Sequence, residues 1–442
     1  SAARACALAV IRRVFERGAY ADRALRAEAR RLAPRDRALA MRLAYGAVQR
    51  RGTLDVLIER LAERPTARLQ PRVLATLRLG LYELLYLQGS PDHAVVADAV
   101  ELAKRAGAPG HGLVNAVLRR AGREGRDALL GALSERTPEQ AAIMHSHPVW
   151  IARMWWRELG AAQARALMAF DNQPAEVALR ANTLLTDART LVAGLTVRAR
   201  TDPEIPEAVV LEEPFDAYAS ALWRQGAFVA QSRASMLAAR ALAPQPGQRV
   251  LDLCAAPGGK STHLAALMQG RGEVVAVERN PSRARALVQT AARCKASSVH
   301  VAIADAARPG VGDAAFDRVL VDPPCSGLGT LQSHPDLRWR VQPQDVAQMA
   351  RAQAAILAAG ARALRPGGLL VYSTCTISPT ENERLIAAFL DSRADFVLDD
   401  LAGETPAFAL AASATGLAAG CLLTLPHRDH TDGFFIARLR RS

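Results

Sequence analysis

DLCAAPGGKSTHLAALM (252–268) joins an apolar run to a helical one through Pro257, Gly258 and Gly259. A strand that ends in a glycine-rich turn and continues as a helix opens a doubly wound α/β sheet, where ligands bind at the carboxyl ends of the strands. The glycines let the backbone approach a ligand, and the free amides of the helix start favour an anionic group. GGKST ends like a phosphate-binding loop, but that motif needs a glycine where Cys254 stands. The GxGxxG dinucleotide fingerprint is absent as well.

Outward from this turn, strand and helix alternate. Strands are expected at RVLDLCAA (249–256), GEVVAVE (272–278), SVHVAIAD (298–305), DRVLVDPP (317–324) and LLVYSTC (369–375), with helices such as DVAQMARAQAAILAAGARAL (345–364) between them. Near-continuous apolar strands with helical crossovers predict a parallel sheet covered on both faces. DGFFIARLR (432–440) follows LLTL (422–425) closely enough for an antiparallel edge pair. An α/β Rossmann-like domain is therefore expected over residues 243–442.

Residues 1–122 read as helix throughout. PRVLATLRLGLYELLYLQ (71–88) places Leu74, Leu77, Leu81 and Leu84 on one face, the spacing of a buried stripe. SPDHAVVADAVELAKRAG (90–107) opens with a Ser able to cap and closes on basic residues and Gly107. Residues 123–145 read as a polar connector. Residues 146–242 read as a small α+β domain, with a helix at WIARMWWREL (150–159) and strands at EVALRANTL (176–184) and within VVLEEPFDAY (209–218). The order of those strands is not readable.

The chain has 442 residues, long enough for two or three domains, and carries a net charge of +13. Residues 1–150 hold 25 Arg and Lys against 15 Asp and Glu, so most of the excess lies in the first third. That balance suits a polyanion, with nucleic acid the leading candidate and a solvated basic surface the plain alternative. No apolar run approaches the ~20 residues of a membrane span, and no leader precedes the helices, so a membrane partner is not expected. The six cysteines (Cys6, Cys254, Cys294, Cys325, Cys375, Cys421) show no zinc spacing, and no metal is expected. A disulfide frame is not expected in a chain this long, and a cytoplasmic location fits best.

Glu278 ends the second strand of the alternating region and Asp305 the third. An acid there is commonly a turn or capping residue. Two at consecutive strand ends beside a glycine-rich turn suit a ribose and an adenine, and the ligand implied is nucleoside-like with a carboxylate, which fits S-adenosylmethionine. Only three of the 56 cations are lysines, which makes Lys260 in the turn informative, since ammonium and guanidinium are not interchangeable at a tight site.

VDPPCSGLGT (321–330) puts Cys325 after the fourth strand, where enzymes that methylate an exocyclic amino group carry a stacking aromatic. Cys375 ends the fifth strand, so both thiols lie on one rim of the sheet. Carbon 5 of a pyrimidine takes a methyl group only after a thiolate has added to carbon 6 and made the ring an enamine. A base must then remove the carbon 5 proton so that the thiolate can leave. Spacing leaves open which thiol attacks.

RLAYGAVQR (42–50), HAVVADAVELAKRAG (93–107) and LVNAVLRR (113–120) resemble the NusB family of helical RNA-binding domains, with Ala97 where that family more often has Asn. DLCAAPGGKST, VDPPCSGLGT with HPDLRW, and YSTCTISPTENE resemble the RNA 5-methylcytosine methyltransferases. The chain as a whole resembles the RsmB (Sun/Fmu) family acting on 16S rRNA. The resemblance implies a multidomain fold: an all-α NusB-like domain, a small α+β linking domain that contacts RNA, and a class I methyltransferase domain. It implies S-adenosylmethionine held by Cys254, Ala255, Ala256, Pro257, Gly258, Gly259, Lys260, Glu278, Asp305 and Asp322. It makes Cys375 the nucleophile and gives Cys325 the release of product. Asp322 would hold the cytosine at N3 and its amino group, and Lys260 would help position the base. The partner implied is 16S rRNA, before or during small-subunit assembly. The same chemistry on transfer RNA or another ribosomal site, and a silent ribosome-assembly factor, are the alternatives. Ser232 and Arg233 replace two acids of the family pattern, and Gln332 and Ser333 stand where basic residues are common, positions expected to line the RNA or donor site.

Overall fold

The helical third of the chain builds its core around one helix. In the computed structural model, which describes residues 1–87, 89–105, 110–401 and 420–442, the chain forms two compact units. Ser1–Pro174 with Leu331–Arg340 make the first, and Ala175–Thr330 with Val341–Ser442 the second. The first unit contains α1 (Ala2–Arg17), α2 (Ala21–Glu28), α3 (Pro34–Gln49), α4 (Arg51–Ala62), α5 (Pro71–Tyr86), α6 (Asp92–Arg105), α7 (His111–Glu124), α8 (Arg126–Gly131), α9 (Pro138–Met144), α10 (Val149–Leu159) and α11 (Ala161–Phe170).

Helix α5 touches α1, α3, α4, α6 and α7 and is buried on nearly every face. The expected single stripe is therefore only part of what it buries. Leu77 and Leu81 are fully covered and Leu74 and Leu84 partly, while Val73, Leu79 and Leu85 fill the other sides. Its buried charges hid this in the sequence, and each is paired. Arg78 makes a two-pronged bond to Asp55 (2.6 and 2.7 Å), and Glu83 accepts from Nε of Arg4 at 2.9 Å.

One expectation in this unit is overturned, that of a polar connector over residues 123–145. Helix α6 starts at Asp92, and the Ser90 hydroxyl accepts from Arg4 at 3.3 Å; Gly107 lies outside the described residues. The polar connector contains α8 and α9. Thr137 caps α9 by accepting from the Gln140 amide (3.3 Å), and Pro138 sits at its first turn, a start signal that polarity masked.

The second unit continues with β1 (Ala178–Ala181), α12 (Ala188–Gly194), β2 (Ala199–Thr201), β3 (Ala208–Leu211), α13 (Ala221–Arg224), β4 (Phe228–Ala230) and α14 (Arg233–Leu242). The strands form an antiparallel sheet in the order β2-β3-β1-β4, with Leu179, Val209, Phe228 and Leu191 in its core. Helix α14 packs elsewhere: Met236 and Leu237 share a core with Val250, Leu320 and Val371 of the larger sheet.

That larger sheet is built from β5 (Arg249–Leu253), α15 (Gly259–Leu267), β6 (Glu273–Val277), α16 (Pro281–Arg293), β7 (Val299–Ala302), β8 (Phe316–Val321), α17 (Leu337–Arg340, within the first unit), α18 (Pro343–Ala363), β9 (Leu364–Thr374), α19 (Glu383–Ser392), β10 (Phe396–Leu398), β11 (Cys421–Leu423), α20 (Pro426–Asp429) and β12 (Phe435–Arg441). Its order is β10-β12-β9-β8-β5-β6-β7, with β11 also on β12. Strands β5 to β9 are parallel as expected, in registers such as Leu251↔Val319 and Leu251↔Val275. Alternate residues face opposite cores: Val250 and Leu320 pack with Leu264 and Leu287, while Leu251 and Val319 pack with Ile356 and Leu357.

The final strand does pair with the LLTL segment, but it is interior rather than an edge. Strand β12 also runs antiparallel to β9 from Phe435↔Thr374 to Arg440↔Leu369, and β10 covers its end at Phe396↔Arg441. Three apolar residues are too short a run for β10 to register as a strand in the sequence.

HPDLRW (334–339) belongs structurally to the helical unit. Arg338 is fully buried and donates to the carbonyls of Ser146 (3.0 Å) and Asp171 (3.1 Å) and to Oδ1 of Asn172 (3.1 Å). Trp339 Nε1 donates to the Val48 carbonyl at 2.7 Å. A buried guanidinium fork that satisfies carbonyls at the ends of several elements is a packing role.

Candidate active site

The loop after β5 is held in an unusual backbone course. Cys254 adopts φ 65° and Gly258 φ 100°, and the Gly258 amide donates to the Ala255 carbonyl at 2.9 Å, closing a turn that leads into α15. Gly258 is required for its conformation, since a Cβ there would also press on Leu287 at 3.3 Å. Gly259 is the position with open space in front of it, its nearest neighbour being Oε1 of Gln231 at 3.7 Å.

These residues border a cavity of about 270 Å³ lined by Ala230, Gln231, Ser232, Ser235, Asp252, Ala255, Ala256, Pro257, Gly259, Lys260, Asp322, Thr330, Cys375, Asp432 and Phe434. Of the residues expected to bind donor or base, Ala255, Ala256, Pro257, Gly259, Lys260, Asp322 and Cys375 line it. Cys254, Gly258, Glu278, Asp305 and Cys325 do not. Glu278 is buried and accepts from the Asn280 amide at 2.7 Å, and the exposed Asp305 accepts from the Ala307 amide at 3.0 Å. Each thus uses at least one oxygen as a turn cap, the ordinary role weighed against ligand binding.

Charges converge at the cavity wall. Lys260 Nζ donates to Asp322 Oδ2 at 2.8 Å, and the Ser373 hydroxyl donates to Asp322 Oδ1 at 2.8 Å. Burial works against the ammonium, but the carboxylate's charge and hydrogen bond outweigh it and the Lys260 pKa is raised. The Phe434 ring centroid lies 5.1 Å from Nζ, close enough for cation–π attraction. Asp252 is fully buried beside the cavity. Its Oδ2 accepts from Ser261 at 2.6 Å, while Oδ1 has no partner among the described residues. Burial first, then the nearby Asp322 charge, push its pKa up to about 7 against the Ser261 bond.

The two rim thiols meet, with sulfurs 3.3 Å apart. The Cys325 thiol is pushed well up by its hydrogen bond to Cys375, then by burial and by the charges of Cys375 and Glu381. The third cysteine nearby, Cys254, is raised to about 12 by burial and the surrounding carboxylates, which leaves it an inert thiol.

The departures from the family pattern have separate explanations. Ser232 lines the cavity and caps α14, accepting from the Ser235 amide at 3.4 Å. Arg233 pairs with Glu176 (2.6 Å) and Asp202 (3.0 Å) and donates to the His430 carbonyl at 2.8 Å, tying the small sheet to the chain's C-terminal segment. Gln332 is buried and donates to the Phe170 carbonyl at 2.9 Å within the helical unit, and Ser333 bonds His334 Nδ1 at 3.1 Å. Arg233, Gln332 and Ser333 do not line the cavity. Sequence reading missed Gln231, Asp252, Thr330, Asp432 and Phe434. The last two sit in DGFF, where the strand pattern drew attention away from the turn before it.

Family models match three successive stretches of the chain. They are the NusB family over residues 1–123, an RsmF/B-like ferredoxin-like domain over 147–218, and 16S rRNA methyltransferase RsmB/F over 239–440. A probable ribosomal RNA small subunit methyltransferase B from Synechocystis sp. is 35% identical, covering 100% of this chain and 99% of its own. The Bacillus subtilis protein of that description is 33% identical over 98% of each chain. A ribosomal RNA small subunit methyltransferase B from Klebsiella pneumoniae is 33% identical, covering 99% and 97%. Among solved structures, PH0851 superposes with a TM-score of 0.81 at 25% identity, covering 100% and 98%. A methyltransferase homolog from Pyrococcus horikoshii gives 0.61 at 28% identity, covering 70% and 99%.

Proposed function

The chain belongs to the RsmB/F family of 16S rRNA methyltransferases. From that premise we propose that it methylates carbon 5 of a cytidine in 16S rRNA, with S-adenosylmethionine as donor and a covalent link to Cys375. The observation that carries this reading is the 3.3 Å thiol pair with Cys375 on the cavity wall, beside the Lys260–Asp322 pair.

The residues present suit such a donor. Backbone from 255 to 259 borders the cavity, and the unpartnered Asp252 Oδ1 is an acceptor in want of a donor such as an ammonium. Bound S-adenosylmethionine supplies an electrophilic methyl group. The protein's own residues do the rest. Cys375 adds as a thiolate to carbon 6, helped by Cys325, whose retained proton can point at the anionic sulfur. Asp322 accepts from the amino group of the ring, and the Lys260 ammonium balances the negative charge that addition drives toward N3. Release breaks the C5–H and C6–S bonds: the proton goes to a base, the C–H pair forms the ring double bond, and Cys375 leaves as thiolate. The Cys325 S–H is in place to meet that leaving sulfur. A flipped-out base is required, because a stacked cytosine cannot reach a thiol at the sheet rim.

Bisulfite sequencing of 16S rRNA treated with protein and donor is expected to reveal one protected cytidine. Uniform conversion with modification elsewhere, such as on transfer RNA, would move the substrate to the rival reading. Gly259→Val is expected to weaken donor binding by calorimetry about tenfold or more, ~1.4 kcal/mol, because the added carbons enter the cavity. Unchanged affinity would take the donor off this loop.

Exposed Arg30 and Arg31 lie between α2 and α3, and exposed Arg35 lies in the first turn of α3. Replacing all three with Ala is expected to weaken RNA binding and to lower the salt slope by ~0.7 for each phosphate of single-stranded RNA no longer neutralised. An unchanged slope would make this a solvated surface. Point substitutions are the cleaner test, since removing residues 1–122 would also strip Trp339 of its Val48 partner.

A further inference from the structure

Glu381, in SPTENE, is fully buried, and no cation pairs with it among the described residues. A buried carboxylate without a counter-charge persists only if its oxygens are well satisfied. Its Oε1 accepts from the Ser326 amide at 2.8 Å and from Gln353 Nε2 at 3.0 Å, and its Oε2 from the Ser326 hydroxyl at 2.5 Å. The same Gln353 Nε2 donates to the Pro324 carbonyl at 2.9 Å. The carboxylate thus grips the chain on both sides of Cys325, directly at Ser326 and through Gln353 at Pro324.

The other thiol is tied to the same point. The hydroxyls of Ser326 and Thr376, each the residue after a cysteine, lie 2.7 Å apart. Ser326 spends its proton on Glu381, so Thr376 is the donor of that bond. The Gly329 amide donates to the Cys375 carbonyl at 3.0 Å. Tyr372 anchors the assembly from the strand, donating to the Glu381 carbonyl at 2.7 Å and to Gln353 Oε1 at 3.2 Å. None of this network lines the cavity except through Cys375.

We infer that Glu381 is a positioning residue for product release: its carboxylate holds the Cys325 segment against the end of β9 so that the Cys325 S–H meets the Cys375 sulfur. The inference rests on the proposed roles of the two thiols. Glu381→Gln keeps the shape but puts an amide N–H₂ before donors, so the bond from the Ser326 hydroxyl is lost or must reverse against Thr376, and the hold on the Cys325 segment weakens.

The test is single-turnover kinetics with 16S rRNA and labelled S-adenosylmethionine, following methyl transfer and release of the covalent adduct separately. Glu381→Gln is expected to bind donor within about twofold of the parent and to transfer methyl. It should slow release by about a hundredfold, so that adduct accumulates on a denaturing gel although Cys325 is present. Ser326→Ala, a smaller change, is expected to slow release by about tenfold. Adding Glu381→Gln to Cys325→Ala should change release no further, because the carboxylate acts through that thiol. Parent-like release in Glu381→Gln overturns the inference, as does equal loss of transfer and release, or additivity with Cys325→Ala. If Glu381→Gln fails to fold, parent-like release in Ser326→Ala overturns it by itself. A failure of the thiol roles shows independently: Cys325→Ala with intact Glu381 would then trap no adduct.

Discussion

Cys375→Ala is expected to abolish methylation, a loss on the order of 10⁴-fold or more, and to form no covalent adduct. Without a thiolate at that position carbon 6 gains no substituent and carbon 5 stays too weak a nucleophile. Cys325→Ala is expected to form the bond and transfer one methyl group, then stall with RNA attached under denaturing conditions. The hydrogen bond to Cys375, then burial and the charges of Cys375 and Glu381, push the Cys325 pKa up. A negative neighbour and burial both favour the neutral thiol there. Trapping by Cys375→Ala and none by Cys325→Ala would reverse the two roles.

Asp322→Asn is expected to be the next most damaging single change. Removing one partner of a buried ion pair costs about 3–5 kcal/mol. The Asp322 side chain keeps 25% of its surface against 13% for Lys260, so a stability loss of roughly 2–3 kcal/mol is expected here, and, separately, a loss of about a hundredfold in kcat/KM from the proposed contact to the base. Lys260 then faces burial without its carboxylate, and its pKa should fall. The cytosine also loses the group proposed to accept from its amino group. Asp322→Asn and Lys260→Met combined should lose less than the sum of the two alone, as groups sharing one interaction do. Strict additivity in kcat/KM would mean that the pair seen at 2.8 Å does not work as a unit.

Where residues contact their neighbours in sequence, reading them was enough. The alternation of apolar runs with helical ones was enough to make β5 to β9 parallel strands, though not to order them. The glycine-rich turn, the Asp-Pro-Pro-Cys run and the strand-end cysteine located one rim of the sheet. The position of a strand end follows from local periodicity, and chemistry-bearing side chains there project toward the same edge.

Pairing between residues distant along the chain was not legible in this way. Strand β12 reaches back to β9 across about sixty residues, and its interior position depends on which neighbours its amides find. HPDLRW carries a family motif, yet Arg338 serves carbonyls of the helical unit more than 160 residues away, and no local pattern announces that. Nothing in the turn SPTENE singles out Glu381 either, because an acid in a polar turn ordinarily faces water. Only the fold turns that carboxylate inward, where Ser326 and Gln353 supply the donors that water would otherwise give.

Local sequence thus dictates which elements form and which rim carries the chemistry, because periodicity and turn residues act over a few positions. The order at the sheet's antiparallel end, the 3.3 Å meeting of the thiols and the burial of Glu381 come from the folded chain as a whole. They depend on long-range pairing and on which polar groups lose water, and neither is encoded in any short stretch of the chain.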